Sequence, residues 1–225
     1  MKNKGLIIIV LLLCFSCKKD TKTTTPEIEK TPLSIAEKIA NAHGYDHWKN
    51  VSELKFTFNV DRDSSHFERS FIWQPKTKKV TAINKKDSVT YNRNKVDSLS
   101  LRSDQAFIND KFWLLPAFQM VWDSGTTISE AKTEIAPISK DSLSKITLTY
   151  SNDGGYTPGD AYDFYYDKNY HLKEWIFRKG NSEKPSMITA FSEYKTIEDI
   201  SFPTKSTKDG KSWSLYFTDI EIKNE

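Results

Sequence analysis

Cysteine is nearly absent from this chain, and both copies lie close to its start. The 225 residues include only Cys14 and Cys17. A C-x-x-C pair that survives in a folded loop is typical of a redox centre, a disulfide or part of a metal site. No cysteine follows Cys17, so disulfides and thiol catalysis are excluded from the rest of the chain. A domain of this size can be stabilised by its hydrophobic core alone.

Long hydrophobic runs are also scarce, and the most prominent one stands at the beginning. Residues 6–15 are ten consecutive apolar residues, preceded by Lys2 and Lys4. A transmembrane helix needs about 20 apolar residues, whereas a positive flank and a run of about 7–15 are typical of a secretory signal peptide. We therefore expect the mature chain to be exported.

The two cysteines differ in the residue that precedes them. Ser16 precedes Cys17 and Leu13 precedes Cys14, and signal peptidases require a small residue before the cut. The segment CFSC resembles the lipobox of bacterial lipoproteins, in which the cysteine is acylated and becomes the first mature residue. This resemblance implies a signal peptide over residues 1–16 and acyl chains, palmitate among them, on Cys17 that anchor the protein in a membrane. A C-x-x-C pair is the alternative.

Charge of either sign is not in excess. The chain carries 33 Lys and Arg against 30 Asp and Glu, and removal of Lys2 and Lys4 with the signal peptide leaves 31 against 30. This balance argues against nucleic acid as a partner, because binding to phosphates requires a clustered basic excess. Residues 17–33 are rich in Thr, Lys, Glu and Pro, which predicts a disordered tether between the acylated cysteine and a domain over residues 34–225.

Motifs for catalysis or metal binding are not recognisable. The sequence has no G-x-S-x-G elbow, no P-loop and no G-x-G-x-x-G,. His43 and His47 have a zinc-like spacing, but Gly44 lies between them and no Cys or Glu completes a ligand triad nearby, so we predict a helix-end cap or a packed ring. The aspartates of residues 151–163 lack the EF-hand spacing and predict a hairpin loop. We predict no metal, no cofactor and no enzymatic activity; an enzyme of unrecognised type is the remaining alternative.

The domain is predicted to open with one helix and to continue in strands. Ser34 and Glu37 form a capping box before an apolar stripe that ends at Gly44,. Apolar and polar residues then alternate over residues 54–60, as in a strand with one wet face.

Turns and a bulge are predicted in the C-terminal half. Alternating segments on both sides of DKNY, residues 167–170, predict a hairpin, and Asp209–Gly210 predicts a second one with a tight type I′ turn,. The apolar phase of the last strand shifts after Phe217, which predicts a β-bulge near Thr218 or Asp219.

One apolar segment interrupts the strand pattern. Residues 103–125 read as a helix that Pro116 ends or kinks near Leu115,. The segment is too apolar for a solvated element, so it must be buried or bound. Trp113, Phe118 and Trp122 either fill the core as a plug or form a lid over a ligand or a tip that enters the membrane.

The order of these segments resembles a known group of proteins. A helix followed by Gly44 and Trp48, the apolar KFWLLPAF, then YDFYYDKNYHLKEWIFRKG and FSEYKTIEDISFPTK, is similar to Bacteroidetes lipoproteins related to the LolA/LolB/LppX half-barrel superfamily. The resemblance implies a mainly β (α+β) fold, in which a curved antiparallel sheet forms an incomplete barrel and helices cover its concave face.

The same resemblance implies a function. It describes an envelope lipoprotein, in the outer membrane on the periplasmic face or the cell surface, that holds a lipid or lipoprotein acyl chains in the half-barrel. The alternative is a structural or interaction lipoprotein whose own side chains fill the core. The residues expected to line the cavity are Phe56, Phe58, Trp73, Phe112, Trp113, Phe118, Trp122 and Trp175.

Overall fold

An antiparallel sheet forms most of the domain. The computed structural model describes residues 32–85, 87–153 and 156–225, so the predicted signal peptide, Cys17 and nearly all of the tether lie outside the described residues. The strands are β1 (Val51–Arg62), β2 (Ser65–Gln74), β3 (Lys79–Ile83), β4 (Ser88–Asn92), β5 (Thr126–Ile128), β6 (Lys132–Ile135), β7 (Ser142–Tyr150), β8 (Ala161–Tyr166), β9 (Leu172–Arg178), β10 (Met187–Ile197), β11 (Ile200–Thr207) and β12 (Trp213–Asn224).

The sheet is open at both ends. Its order is β4-β3-β2-β1-β12-β11-β10-β9-β8-β7-β5, and β6 also pairs with β7. All of the pairs are antiparallel, and within the described residues β4 and β5 form the two edges without pairing to each other. Three α-helices, α1 (Ile35–Ala42), α2 (Leu101–Leu114) and α3 (Pro116–Trp122), accompany the sheet, with 3₁₀ turns at Tyr45–Asn50 and Lys179–Asn181. The predicted fold class, a mainly β incomplete barrel with helices, is confirmed.

The opening helix forms as its sequence predicts. The Glu37 backbone N–H donates to Ser34 Oγ at 3.3 Å, and the Ser34 N–H donates to the Glu37 carboxylate at 2.7 Å, which completes the capping box. The chain leaves the helix through Gly44, whose φ is 87°. A Cβ at Gly44 would lie 2.0 Å from the carbonyl oxygen of Asp199, so only glycine lets the chain pass this close to the strand loop,.

The apolar segment is two helices, and the break between them is where the sequence places it. Leu115, with φ −126° and ψ 48°, separates α2 from α3, and Pro116 is the first residue of α3,. A bidentate ion pair holds α2 against β2, because Arg69 donates to both carboxylate oxygens of Asp110 at 2.5 and 2.6 Å. The Asp110 side chain is fully buried, so the pair fixes the position of α2 over the sheet.

The predicted bulge is confirmed, and one turn prediction is wrong. Between β1 and β12 the register changes from Lys55 opposite Glu221 to Thr57 opposite Thr218, which leaves an irregularity at the predicted place. The Asp209–Gly210 turn is not type I′. Strands β11 and β12 last pair at Thr207 and Ser214, and a positive φ occurs at Gly210 but not at Asp209. The connection is therefore a wider loop over residues 208–212, since type I′ needs positive φ at both central positions.

Candidate ligand-binding cleft

Aromatic rings fill one half of the space between the helices and the sheet. We call the group of Trp48, Trp73, Phe118 and Trp122 the tryptophan cluster. The ring centroid of Trp48 lies 5.2 Å from that of Trp73, 5.0 Å from that of Trp122 and 5.7 Å from that of Phe118. Such tilted and edge-to-face pairs are the favourable arrangement for aromatic rings. Phe118 is 1% exposed, so this half is closed by the chain's own side chains.

A second packed group continues the filled half along β1. Phe56 lies 5.4 Å from Phe71, and Phe58 lies 5.8 Å from Phe217, measured between ring centroids. The guanidinium of Arg69 stacks 5.2 Å above the Phe58 ring. Both Phe56 and Phe58 are buried, so this part of the layer is also filled by the chain's own side chains.

The other half of this layer contains an open apolar cleft. It has a volume of about 370 Å³ and lies between α2 and strands β8, β9 and β10. Its apolar walls are Phe112, Trp113, Tyr162, Trp175, Phe177 and Met187. Two close ring contacts form its floor: Phe112 lies 4.6 Å from Tyr162, and Trp113 lies 4.3 Å from Trp175. The volume falls within the range of small-molecule sites.

Trp175, which lines the apolar cleft, carries a hydrogen-bond donor that no described residue uses. The indole nitrogen of Trp175 is buried and has no hydrogen-bond partner within the part of the chain that the structure describes. A buried indole N–H usually finds an acceptor.

A polar cleft of about 570 Å³ adjoins the apolar one. The two share four lining residues, Ile108, Phe112, Tyr156 and Thr157. The polar cleft lies on the side of α2 that carries Asp104 and Lys111, and it reaches Asp123 and Tyr150 beyond the end of α3.

Two carboxylates of the polar cleft accept hydrogen bonds from neighbouring side chains. Asp104 accepts from Arg93 Nε at 2.9 Å and from the Tyr156 hydroxyl at 2.7 Å. Asp123 accepts from the Tyr150 hydroxyl at 2.5 Å. These bonds use one oxygen of Asp123 and both oxygens of Asp104.

Lys111 is a buried cation that lines the same polar cleft. Its side chain is buried, with 6% of the residue exposed. Its Nζ donates to Gln119 Oε1 at 2.9 Å and lies 5.1 and 5.8 Å from the ring centroids of Trp122 and Trp73. Burial lowers the pKa of the Lys111 amine to about 8, and the carboxylate of Asp123 opposes this shift,.

The two histidines with zinc-like spacing do not meet. His43 is buried, 1% exposed, and its Nδ1 lies 2.8 Å from the Ile39 carbonyl oxygen, whereas the exposed His47 lies 3.8 Å from an Asp199 oxygen. Burial lowers the pKa of His43 to about 4. His43 is the packed ring that the sequence predicts at the end of α1.

The aspartates of the 151–163 loop are dispersed. Asp153 is exposed, Asp160 accepts from the Gly180 backbone N–H at 2.7 Å, and Asp163 pairs with Arg178 Nε at 3.0 Å. Over the described residues, no three His, Cys, Asp or Glu side chains are grouped as metal ligands would be. None of the described helices is long and apolar enough to cross a membrane.

The predicted lining residues divide between the two halves. Phe112, Trp113 and Trp175 line the apolar cleft. The other five, Phe56, Phe58, Trp73, Phe118 and Trp122, lie in the filled half.

Sequence reasoning missed several residues of the two clefts. Tyr162, Phe177, Met187 and Lys111 line them but were not singled out. A signal existed for Lys111, since it begins the apolar run KFWLLPAF and no other charge follows until Asp123. A charged residue inside a buried helix needs a partner or a role.

Comparisons with known proteins find similar structures only. Neither the family models nor the curated proteins include a match to this sequence. A DUF1329 family protein from Desulfovibrio piger is 8% identical with a TM-score of 0.47, covering 84% of this chain and 91% of its own. A putative outer membrane lipoprotein-sorting protein domain from Vibrio parahaemolyticus is 13% identical with a TM-score of 0.45, covering 84% and 93%.

Lipoprotein LppX from Mycobacterium tuberculosis also matches. It is 11% identical with a TM-score of 0.28, covering 85% of this chain and 98% of its own. The strand order and the helices of this chain establish its fold.

Proposed function

We propose that this chain is a membrane-anchored envelope lipoprotein that binds the apolar part of a lipid, or the acyl chains of another lipoprotein, in the apolar cleft. The observation that carries the proposal is the cleft itself. It is an apolar space of about 370 Å³ in a layer whose other half is closed by aromatic side chains. An apolar cleft with a few polar groups at its border is the usual form of a ligand site.

The anchor in this proposal is Cys17. The apolar run and the small Ser16 before it support cleavage and acylation there,. Acyl chains contribute about 0.8 kcal/mol per buried methylene, so two or three chains hold a protein firmly without a membrane-spanning helix. In cell fractionation a Cys17→Ser variant should leave the membrane fraction, and a variant that stayed fully membrane-bound would contradict the anchor.

A variant that fills the apolar cleft tests the ligand. Ile108 is half-buried and lines both clefts, so Ile108→Trp places an indole where the ligand would lie. The added ring takes up space and apolar contact area that the ligand would use, and a loss of about 1.4 kcal/mol in binding free energy corresponds to about tenfold less bound lipid. The measurement is mass spectrometry of lipids extracted from the purified full-length protein.

A matched variant controls for the added ring. Ile135 is 63% exposed on β6 and lines neither cleft, so Ile135→Trp should retain the wild-type amount of lipid. Wild-type protein that carries no lipid would favour the second candidate function, a structural or interaction lipoprotein. The tryptophan cluster favours that candidate, because it already fills half of the layer with the chain's own rings.

A further inference from the structure

The Lys111 amine is a buried charge that feels the carboxylates of Asp123 and Asp104 but has neither of them in direct contact. Across residues 32–85, 87–153 and 156–225, no carboxylate lies within ion-pair distance of its Nζ. An ammonium group has three donor hydrogens, and the Gln119 side chain takes one of them at 2.9 Å. Buried charges are normally paired, because desolvation of an unpaired one is costly. The site is therefore short of an acceptor.

The neighbours of Lys111 indicate from which side a further acceptor can approach its amine. The indoles of Trp73 and Trp122 occupy one side, and Gln119 is held by its own amide, which donates to the Leu115 carbonyl at 3.3 Å. Lys111 also lines the polar cleft, so a group in that cleft can approach it. There, Arg93 is already paired with Asp104 at 2.9 Å. Lys111 is thus the cation left to bind a group that enters the polar cleft.

The polar cleft is joined to the apolar one along a single helix face. Ile108 lies one turn before Lys111, Phe112 follows it, and both line the two clefts. Residues three and four apart on a helix are surface neighbours. A molecule with its tail against Phe112 and Trp113 would therefore have its head near the Lys111 amine.

We propose that Lys111 binds the anionic head, a carboxylate or a phosphate, of an amphiphile whose tail lies in the apolar cleft. This inference rests on the proposed function and specifies its ligand class. Three carboxylates line the same polar cleft. Asp104 is paired with Arg93, Asp123 accepts from the Tyr150 hydroxyl at 2.5 Å, and Asp153 is exposed to solvent. An anionic head supplies the directly bound anionic acceptor that Lys111 lacks.

Three probes with one chain length separate the head from the tail. Palmitate, hexadecyl phosphate and 1-hexadecanol share a tail and differ in charge. Native mass spectrometry of the intact full-length protein, released from detergent micelles, gives the affinity of each. A charge-assisted hydrogen bond predicts that at least one anion binds about tenfold more tightly than the alcohol. The stronger of the two anions identifies the head.

A Lys111→Met variant should remove this preference. Its binding of 1-hexadecanol should be unchanged, while binding of the preferred anion falls to the level of the alcohol. The matched control is Lys145→Met. Lys145 on β7 is also largely buried, with 12% of its side chain exposed, and its Nζ lies 5.9 Å from the Tyr165 ring, but it pairs with Glu134 and lines neither cleft. This control should keep the preference for the anion.

The outcomes separate the two proposals. Equal binding of all three probes by the wild-type protein would overturn the role of Lys111 and needs no variant. A preference that persists in Lys111→Met would overturn it as well. Failure of the wild-type protein to bind any of the three would instead overturn the proposed function.

Discussion

The filled and open halves of the layer between helices and sheet are built from the same residue types but packed differently. In the filled half, Trp48 contacts Trp73, Trp122 and Phe118, with centroids 5.0 to 5.7 Å apart. In the open half, Phe112 and Trp113 also contact rings of the sheet, but a space of about 370 Å³ remains beside them. An abundance of aromatic residues therefore does not distinguish a packed core from a binding site.

The difference follows from how the helices are placed. Helix α3 packs on α1, so its rings meet the aromatic residues that follow α1. Helix α2 is fixed at β2 by the Arg69–Asp110 pair, and its Phe112 and Trp113 rings contact Trp175 of β9. The filled half stabilises the domain, and the open half retains a cavity beside it.

The largest expected effect is a loss of stability in the filled half. Phe118→Ala removes a ring that is 1% exposed and contacts Tyr45, Trp48 and Trp122. Removal of a fully buried phenylalanine costs about 3–5 kcal/mol in the free energy of unfolding, because the cavity left behind collapses only in part. Urea denaturation monitored by tryptophan fluorescence measures the change. The control is Phe67→Ala, at a ring 50% exposed on β2, where a loss of less than about 1 kcal/mol is expected,.

Acid should lower the free energy of unfolding through protonation of His43, which lines neither cleft. Neighbours of the His43 ring are the Ile39 carbonyl, His171, Tyr194 and the charge of Asp167, and burial lowers its pKa to about 4. Because the folded pKa lies below the unfolded value near 6.5, the full contribution to stability is present above pH 6.5. It is lost as the pH falls toward 4, by about 3 kcal/mol.

A pair of histidine variants measures this pH dependence. The stability of wild type exceeds that of His43→Gln at pH 7, and this difference should shrink as the pH falls to 4 in a series of urea denaturations. The stability difference between wild type and His66→Gln should change with pH in the opposite direction. Hydrogen bonds to Asp61 and Glu68 raise the pKa of the exposed His66, so its contribution is present in acid and lost as the pH rises. A difference for His43→Gln that stays constant from pH 7 to 4 would contradict the assignment.

Local signals in the sequence were sufficient for most of the fold. The capping box of Ser34 and Glu37, the break at Pro116 and the phase shift before Asp219 each act within a few residues, so the sequence predicts them correctly,. The Asp209–Gly210 turn failed because the strands on each side stop pairing earlier than the turn motif requires. That end point depends on the long-range register, which the dipeptide does not encode.

The division into filled and open halves could not be predicted from the sequence. Trp122 and Trp113 lie in one apolar run and have similar neighbours along the chain, yet one packs in the tryptophan cluster and the other borders the apolar cleft. Their environments depend on which strands lie opposite, and strand order arises from pairs far apart in sequence, such as β1 with β12. Composition predicts how much aromatic surface is buried but not where space remains.

The smallest expected effect on stability belongs to the open half. Phe177 is half-buried, stacks 5.1 Å from Tyr162 and borders the apolar cleft. Its replacement by alanine enlarges an existing space instead of creating a new one, so we expect a loss of about 1 kcal/mol in the free energy of unfolding, against about 3–5 for Phe118→Ala. The same urea denaturation compares the two phenylalanines, and lipid extraction should show less bound lipid for Phe177→Ala. Equal losses of stability would mean that the two halves are packed alike, because the cost of removing a ring depends on how completely its surroundings enclose it.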